Sequence, residues 1–286
     1  MKVLVIGSGG MLGHVVVHYF LECGYEVYDI SRSRKCRKKT ELMDVLKLEK
    51  FDRYVEKNDF DAIINCAAVL PKGCVSDRET AILLNSYFPQ HLKSLVEKTN
   101  TYFVQISTGG VYKGDMAPYH EGCEQDAVSF YGKTKSLGEP DGNNILTVRS
   151  DVVGPDMARE GGGIFNWIMM SAGEVSGYAH MSINGVTSLE YAKFLEQAMQ
   201  KKYKGNYNLH ADGSISKADF IRLVIDVFHI NNLSVKDMFY PIQNNSLSTI
   251  RSDIDFPRKT YRRQLEELRV WMLKHKELYS HYGGVL

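Results

Sequence analysis

The most constraining stretch of this chain lies at its start. Val3-Leu4-Val5-Ile6 is an apolar, mostly β-branched run, and Gly7-Ser8-Gly9-Gly10-Met11-Leu12-Gly13 follows it without a spacer. Such a run suits a strand buried on both faces of a parallel sheet. The glycine cluster lets the chain turn at once into a helix, read here over residues 11–23 and stopped at Gly24. Gly7, Gly10 and Gly13 are spaced G-x-x-G-x-x-G. In that frame Gly7 takes the tight turn, Gly10, with Gly9 beside it, lets the backbone approach a pyrophosphate, and Gly13 lets the helix lie close on the strand. Unpaired N–H groups around Met11 and Leu12 then face the phosphates. The G-x-G-x-x-G frame from Gly7 and Gly9 fails, because Leu12 occupies its last position.

The same alternation continues through the first half. Residues 26–31, 41–45, 61–68, 102–107 and 145–148 read as strands, and 48–57 and 79–99 as helices, the second with Pro89 as a kink. This order predicts an α/β fold: a Rossmann-like, doubly wound parallel sheet with helices on both faces. After about residue 150 the pattern loosens. Gly161-Gly162-Gly163 reads as a loop, and 164–171, 188–200, 217–228 and 262–275 read as helices. The expectation is a dinucleotide-binding domain over 1–150 and a smaller, mostly helical substrate lobe over 151–286, interleaved at a soft boundary.

Composition narrows the function classes. Lys and Arg number 35 against 34 Asp and Glu, a net charge of +1, which excludes a globally basic nucleic-acid binder. No uncharged apolar run of about 18 residues occurs, so no membrane span is predicted, and no leader is read ahead of the first strand. Cys23, Cys36, Cys66, Cys74 and Cys123 are odd in number and form no C-x-x-C pair. They predict reduced thiols in a cytoplasmic protein, with neither a disulfide framework nor a zinc site. His14 and His18 share a helix face but lack a third ligand, so no metal is expected.

The end of the second strand decides how an adenosine ribose would be read. A carboxylate there takes a free 2′-hydroxyl; a basic residue accommodates a 2′-phosphate. Strand phase puts Ser31 and Arg32 at the reading position and Asp29 two residues early. Arg32 can stack on adenine and pair with a phosphate, so NADP(H) is the expected cofactor. Were the phase shifted by two, Asp29 would favour NAD(H). The basic residues 34–39 read as a solvated loop.

Two further segments carry chemistry. Tyr131-Gly132-Lys133-Thr134-Lys135 is a Y-x-x-x-K motif, and positions i and i+4 share a helix face. A cation beside the phenol would lower its pKa from about 10, poising Tyr131 to exchange a proton with a carbonyl or alcohol oxygen. Ser107 and Thr108 end the fifth strand, where a hydroxyl would reach the same oxygen. Thr108 is preferred, since Ser107 belongs to the strand. An ordinary exposed helix face is the bland alternative for Y-x-x-x-K, and the glycine loop and strand-end hydroxyls weigh against it.

In this order the features resemble the short-chain dehydrogenase/reductase superfamily in its extended form. Asn65-Cys66-Ala67-Ala68 is similar to the N-x-A-A turn that lies along the cofactor there, with Val69 next, on the substrate side. Asp44-Val45 is similar to the pair that touches adenine, and the run from Arg149 to Pro155 resembles the R-x-x-x-x-G-P crossover into the substrate lobe. Within the superfamily the chain looks most like the dTDP-4-dehydrorhamnose reductase group, through residues 85–89, 107–114, 131–139 and 183–190. The resemblance implies hydride delivery to C4 of a nucleotide-diphosphate 4-keto-6-deoxy sugar, for polysaccharide biosynthesis. Tyr131 would protonate the alkoxide, Lys135 hold the nicotinamide ribose, and Thr108 bind the oxygen, with Asn85 near the cofactor. Arg149 and Trp167 would reach the diphosphate and the base, with a salt bridge and core packing as their alternatives. A homodimer is an open alternative, with the Arg262, Arg263 and Trp271 helix as its surface. One departure matters. The reductase group carries Asp-Tyr after the strand-end Thr, and the related 4,6-dehydratases carry Asp-Glu; here Gly109-Gly110 stand there, which argues against dehydratase chemistry. Two other readings stay open: an NDP-sugar epimerase of the same fold, and a non-catalytic NADP-binding regulatory subunit.

Overall fold

Seven parallel strands form the central sheet of the protein, which a computed structural model describes over residues 1–285. Six of them come in chain order: β1 (Lys2–Ile6), β2 (Glu26–Ser31), β3 (Glu41–Leu42), β4 (Ala62–Asn65), β5 (Tyr102–Ile106) and β6 (Ile145–Arg149). The seventh, Gly205–Asn208, comes from the second half of the chain and pairs with β6. The spatial order is Gly205–Asn208, β6, β5, β4, β1, β2, β3. Strands β4, β5 and β6 are buried along their whole length, as a parallel sheet covered on both faces requires. The order reverses between β1 and β4, and ligand crevices open outside the carboxyl ends of strands at such a point. Four segments meet there, after β1, β4, β5 and β6.

The elements follow local chemistry. The first helix, Gly13–Glu22, starts two residues later than its apolar spacing suggests, because the glycine turn occupies the chain up to Leu12. The expected 79–99 helix is three pieces: Arg78–Ile82, a π-helical turn Leu83–Tyr87, and Phe88–Val96. Pro89 has no N–H to give the Asn85 carbonyl four residues back, so the backbone widens just ahead of it.

Beyond β6 the long helices are Ser188–Lys201, Lys217–Phe228 and Tyr261–Lys274. They accompany small sheets that periodicity did not predict. Gly173–Tyr178 pairs with Leu233–Met238, and Met181–Ile183 lies between Ile215–Ser216 and Gln243–Asn244. Helix Ser188–Lys201 packs back on the first helix, where the Tyr19 hydroxyl donates to Glu196 at 2.8 Å. No helix among the described residues is long and apolar enough to cross a membrane.

Candidate active site

The glycine turn has the shape its spacing predicts. Gly7 sits at φ +83°, and a Cβ there would fall 2.7 Å from the Ala67 nitrogen. Gly13 presses on the Gly7 carbonyl with no room for a Cβ. The Gly7 and Ser8 N–H groups donate to the Ile30 carbonyl at 2.8 and 3.0 Å, tying the turn to β2. Gly10 is different. The nearest atom to a Cβ there is the Gly7 oxygen at 3.4 Å, so its missing side chain opens space instead of relieving a clash. The N–H groups of Met11 and Leu12 find no acceptor among the described residues, and the helix has neither a side-chain cap nor an acidic first turn. Such an end is a donor set for an anion.

His14 braces this turn from behind. Its Nδ1–H donates to the Gly10 carbonyl, and its Nε2 accepts the Tyr279 hydroxyl, both at 2.8 Å. Full burial holds its pKa down, from 6.5 to about 4. The unfolded chain therefore takes this proton first, and stability is lost as pH falls from 6.5 towards 4. The full loss is about 3 kcal/mol. Urea unfolding across that window is expected to show it, and His14→Gln is expected to flatten the slope. Equal slopes in the two proteins would rule His14 out as the cause.

A cavity of about 550 Å³ runs from the glycine turn along the ends of β2 and β4; Ser31, Arg32, Asp44, Val45, Ala67 and Val69 line it. Val69, expected on the substrate side, faces this trough instead. Asp29 stays out of it, because its buried carboxylate accepts the Arg37 Nε–H at 2.6 Å and the Cys36 thiol at 3.4 Å. Arg34 lines the trough too, and its guanidinium donates to Asp156 at 3.2 Å. Asn85 does not line it. Its amide accepts the Val69 N–H at 2.8 Å and donates to the Val69 carbonyl at 3.0 Å and the Thr134 hydroxyl at 3.1 Å. It therefore holds the turn after β4 against the Tyr131 helix.

A second cavity, about 650 Å³, shares Gly10, Cys66, Ala68 and Leu70 with the first, and Ser107, Thr108, Tyr131 and Lys135 are among its walls. Tyr131 stands in the first turn of helix Phe130–Leu137, which Ser129 caps by accepting the Gly132 N–H at 3.0 Å. Gly132 lies so close on the Gly110 carbonyl that no Cβ would fit, and this contact brings Tyr131 beside Thr108. Lys135 is buried, and its Nζ donates to the Ile106 carbonyl at 2.6 Å. Burial draws its pKa down to about 8 against the pull of Glu139. The Tyr131 phenol is pushed upward, first by burial and then by the Asp151 carboxylate, with the Thr108 hydrogen bond opposing. Lys135 does not set it, so the expected lowering of the phenol pKa is not found, and the group stays protonated at neutral pH.

Asp151, two residues past the end of β6, is the member of the site that sequence reasoning missed. The Thr108 hydroxyl donates to its Oδ1 at 3.3 Å and accepts the Gly110 N–H at 3.0 Å. Its only signal in the sequence is its place inside the Arg149 to Pro155 run. Two expected substrate residues are elsewhere. Arg149 is buried away from both cavities, its guanidinium bound to Glu139 at 2.7 Å and to the Tyr112 hydroxyl at 2.7 Å. Trp167 is 44% exposed and stands outside the walls of either cavity. Ser107 lines the second cavity, but its hydroxyl donates to Glu139 at 2.5 Å.

Comparisons with known proteins agree with this architecture. The chain is 32% identical, over 143 residues, to a protein of Haloferax volcanii named "Probable low-salt glycan biosynthesis reductase Agl14", covering 49% of this chain and 48% of that one. It thus spans about half the length of that relative. It is 25% identical over 231 residues to the spore coat polysaccharide biosynthesis protein SpsK of Bacillus subtilis, covering 79% and 78% of the two chains. The fold is that of dTDP-4-dehydrorhamnose reductase from Bacillus anthracis, solved in complex with NADP, with TM-score 0.78, 17% identity, and coverage of 94% of this chain and 99% of that one. The family model described as the RmlD substrate binding domain matches residues 1–153, which take in the glycine turn, the strand-end hydroxyls, the Tyr131 helix and Asp151. More than half of the sequence lies within that match, and the chain belongs to the RmlD substrate binding domain family.

Proposed function

We propose that this protein is an NADPH-dependent reductase of the 4-keto group of a nucleotide-linked 4-keto-6-deoxy sugar, acting in glycan assembly. The observation that carries the reading is the continuity of the two cavities: the glycine turn lines one, Thr108, Tyr131 and Lys135 line the other, and Gly10, Cys66, Ala68 and Leu70 belong to both. The names of the Haloferax and Bacillus subtilis relatives, and the NADP complex of the Bacillus anthracis enzyme, support it.

The first cavity fits the adenosine end of a dinucleotide. It offers Asp44 and Val45 to an adenine and Ser31 and Arg32 to a 2′-phosphate, while Met11 and Leu12, whose N–H groups suit a pyrophosphate, line the second cavity beside the shared Gly10. Asp29, engaged by Arg37, offers no carboxylate to a free 2′-hydroxyl. NADPH, when bound, would supply hydride to the carbonyl carbon. Thr108 and Tyr131 orient the carbonyl oxygen, and the protonated Tyr131 phenol gives its proton to that oxygen as negative charge develops there. Lys135 holds positive charge in a buried wall of the same cavity, where it suits the ribose hydroxyls.

The test is NADPH consumption, followed by absorbance, with a panel of nucleotide-linked 4-keto-6-deoxy sugars. Turnover with one member is expected. A folded protein that binds NADPH and turns over none of the panel would overturn the reading and favour a regulatory subunit. For cofactor choice, Arg32→Ala is expected to weaken NADPH binding about ten-fold and NADH binding by less than two-fold (roughly, on the same footing). Equal losses for both would remove Arg32 from 2′-phosphate recognition.

A further inference from the structure

The sugar-side cavity holds a carboxylate where the local sequence offers none. Thr108 is followed by Gly109 and Gly110, which bring no side chain. The space beside Gly109 is nevertheless occupied: a Cβ built there would lie 3.5 Å from Asp151 Oδ1, the same oxygen that accepts the Thr108 hydroxyl at 3.3 Å. The carboxylate arrives from Asp151, two residues past the end of β6.

Its placement is rigid. The Asp151 carbonyl accepts the Val186 N–H at 2.9 Å and the Ser150 hydroxyl at 3.1 Å, and Gly185 is packed so closely on that carbonyl that no Cβ would fit. Lys217 lines the same cavity. Burial raises the Asp151 pKa, with Thr108, the Lys217 charge and the Gly109 N–H opposing. The phenols of Tyr131 and Tyr261 both feel its charge. A carboxylate in such surroundings is a stronger base than one in water.

A carbonyl hydrogen-bonded to the Tyr131 phenol beside Thr108 has a carbon on either side of it, and Asp151 lines the same cavity. We propose that Asp151 is a second catalytic residue, a general base at the carbon next to the sugar carbonyl, and that this protein exchanges the hydrogen there with solvent in a step that needs no reductant. The inference rests on the reading that Thr108 and Tyr131 hold a keto sugar. The carboxylate takes the proton from C3 or C5. The C–H electron pair becomes the C=C bond of an enol, the carbonyl π pair moves to oxygen, and that oxygen takes the Tyr131 proton. The Asp151 carboxyl exchanges its proton with solvent, and the reverse step then returns a solvent-derived proton from it to carbon and restores Tyr131. Nothing is oxidised or reduced. This is the reaction class of keto-sugar epimerases and isomerases, so the substrate's configuration beside the carbonyl need not be settled before it enters this site.

The test uses the full chain, a dTDP-linked 4-keto-6-deoxyhexose and D₂O, without nicotinamide, with the C3 and C5 proton signals followed by NMR. Loss of one signal well above the protein-free rate is expected, and Asp151→Asn is expected to slow it about 100-fold. Asp151→Ser, which keeps a polar partner for Thr108, serves as a second carboxylate-free protein should the amide fold poorly. NADPH-dependent reduction is measured in parallel. Reduction with both hydrogens left in place overturns the proposal and leaves the reductase reading intact. Exchange without NADPH consumption upholds the proposal and overturns the reductase reading. Exchange undiminished in both variants removes Asp151 from the step, and neither reaction with any panel sugar overturns both.

Discussion

Replacing Tyr131 with Phe is expected to lower NADPH-dependent reduction about 10²–10⁴-fold, with the melting temperature close to that of the parent. The change removes one oxygen and leaves the ring packed in the cavity wall. Reduction of a carbonyl needs a proton at oxygen as well as hydride at carbon. The phenol is the natural donor here: burial and the Asp151 charge both hold it in its protonated form. A buried Lys135 beside the site withstands loss of charge only up to about pH 8, so the comparison belongs near pH 7. Stopped-flow rates with saturating NADPH would decide the matter. A variant with undiminished single-turnover rate would show that another group, Thr108 or Asp151, delivers the proton.

The second large effect is on stability. Glu139→Leu is expected to cost about 3–5 kcal/mol and to lower the melting temperature by roughly 10 °C. The Arg149 and Glu139 side chains are only 2% and 6% exposed. The Glu139 carboxylate accepts Arg149 Nε at 3.0 Å, Arg149 Nη2 at 2.7 Å, the Ser107 hydroxyl at 2.5 Å and the Gln125 amide at 2.7 Å. Its loss leaves a guanidinium without a counter-charge in a dry interior. Combining it with Arg149→Met removes both charges, and the double variant is expected to recover at least half of the lost stability. Urea denaturation of the two single variants and the double would measure the coupling. Strict additivity would show that the pair does not act as a unit. Because the network ties the end of β5 to β6 and to the residue two past the Tyr131 helix, its rupture is also expected to disturb Thr108.

Much of this was legible from residue order. The run Val3 to Ile6 and the three glycines after it announce a parallel sheet with a phosphate-facing turn, because only a narrow set of geometries satisfies both. Thr108, Tyr131 and Lys135 were recognisable because hydroxyl, phenol and ammonium groups at those spacings suit one reaction, and the fold brings all three to one cavity. What could not be read is what the sheet order decides. Asp151 reaches Thr108 because β5 and β6 are neighbours. Arg149 looks like an anion ligand in one dimension, but the carboxylate of Glu139 ten residues earlier takes it first. Val69, expected on the substrate side from its place after the N-x-A-A turn, is clasped at its backbone by Asn85, from the π-helical turn, and lines the other cavity. The short strands beyond residue 170 are two to six residues long and half exposed, too brief for alternation to register.

The seventh strand has a consequence for how this molecule can be divided. The chain leaves the sheet after β6, builds part of the second lobe, and comes back at Gly205–Asn208 to hydrogen-bond along β6. A fragment stopping near residue 150 would therefore carry every phosphate-facing residue and still present β6 as a bare edge, with the apolar face of its first helix uncovered. Such an edge invites pairing with other chains. The half that looks like a transferable cassette is thus not one. A chain cut at that point is expected to aggregate through the bare β6 edge.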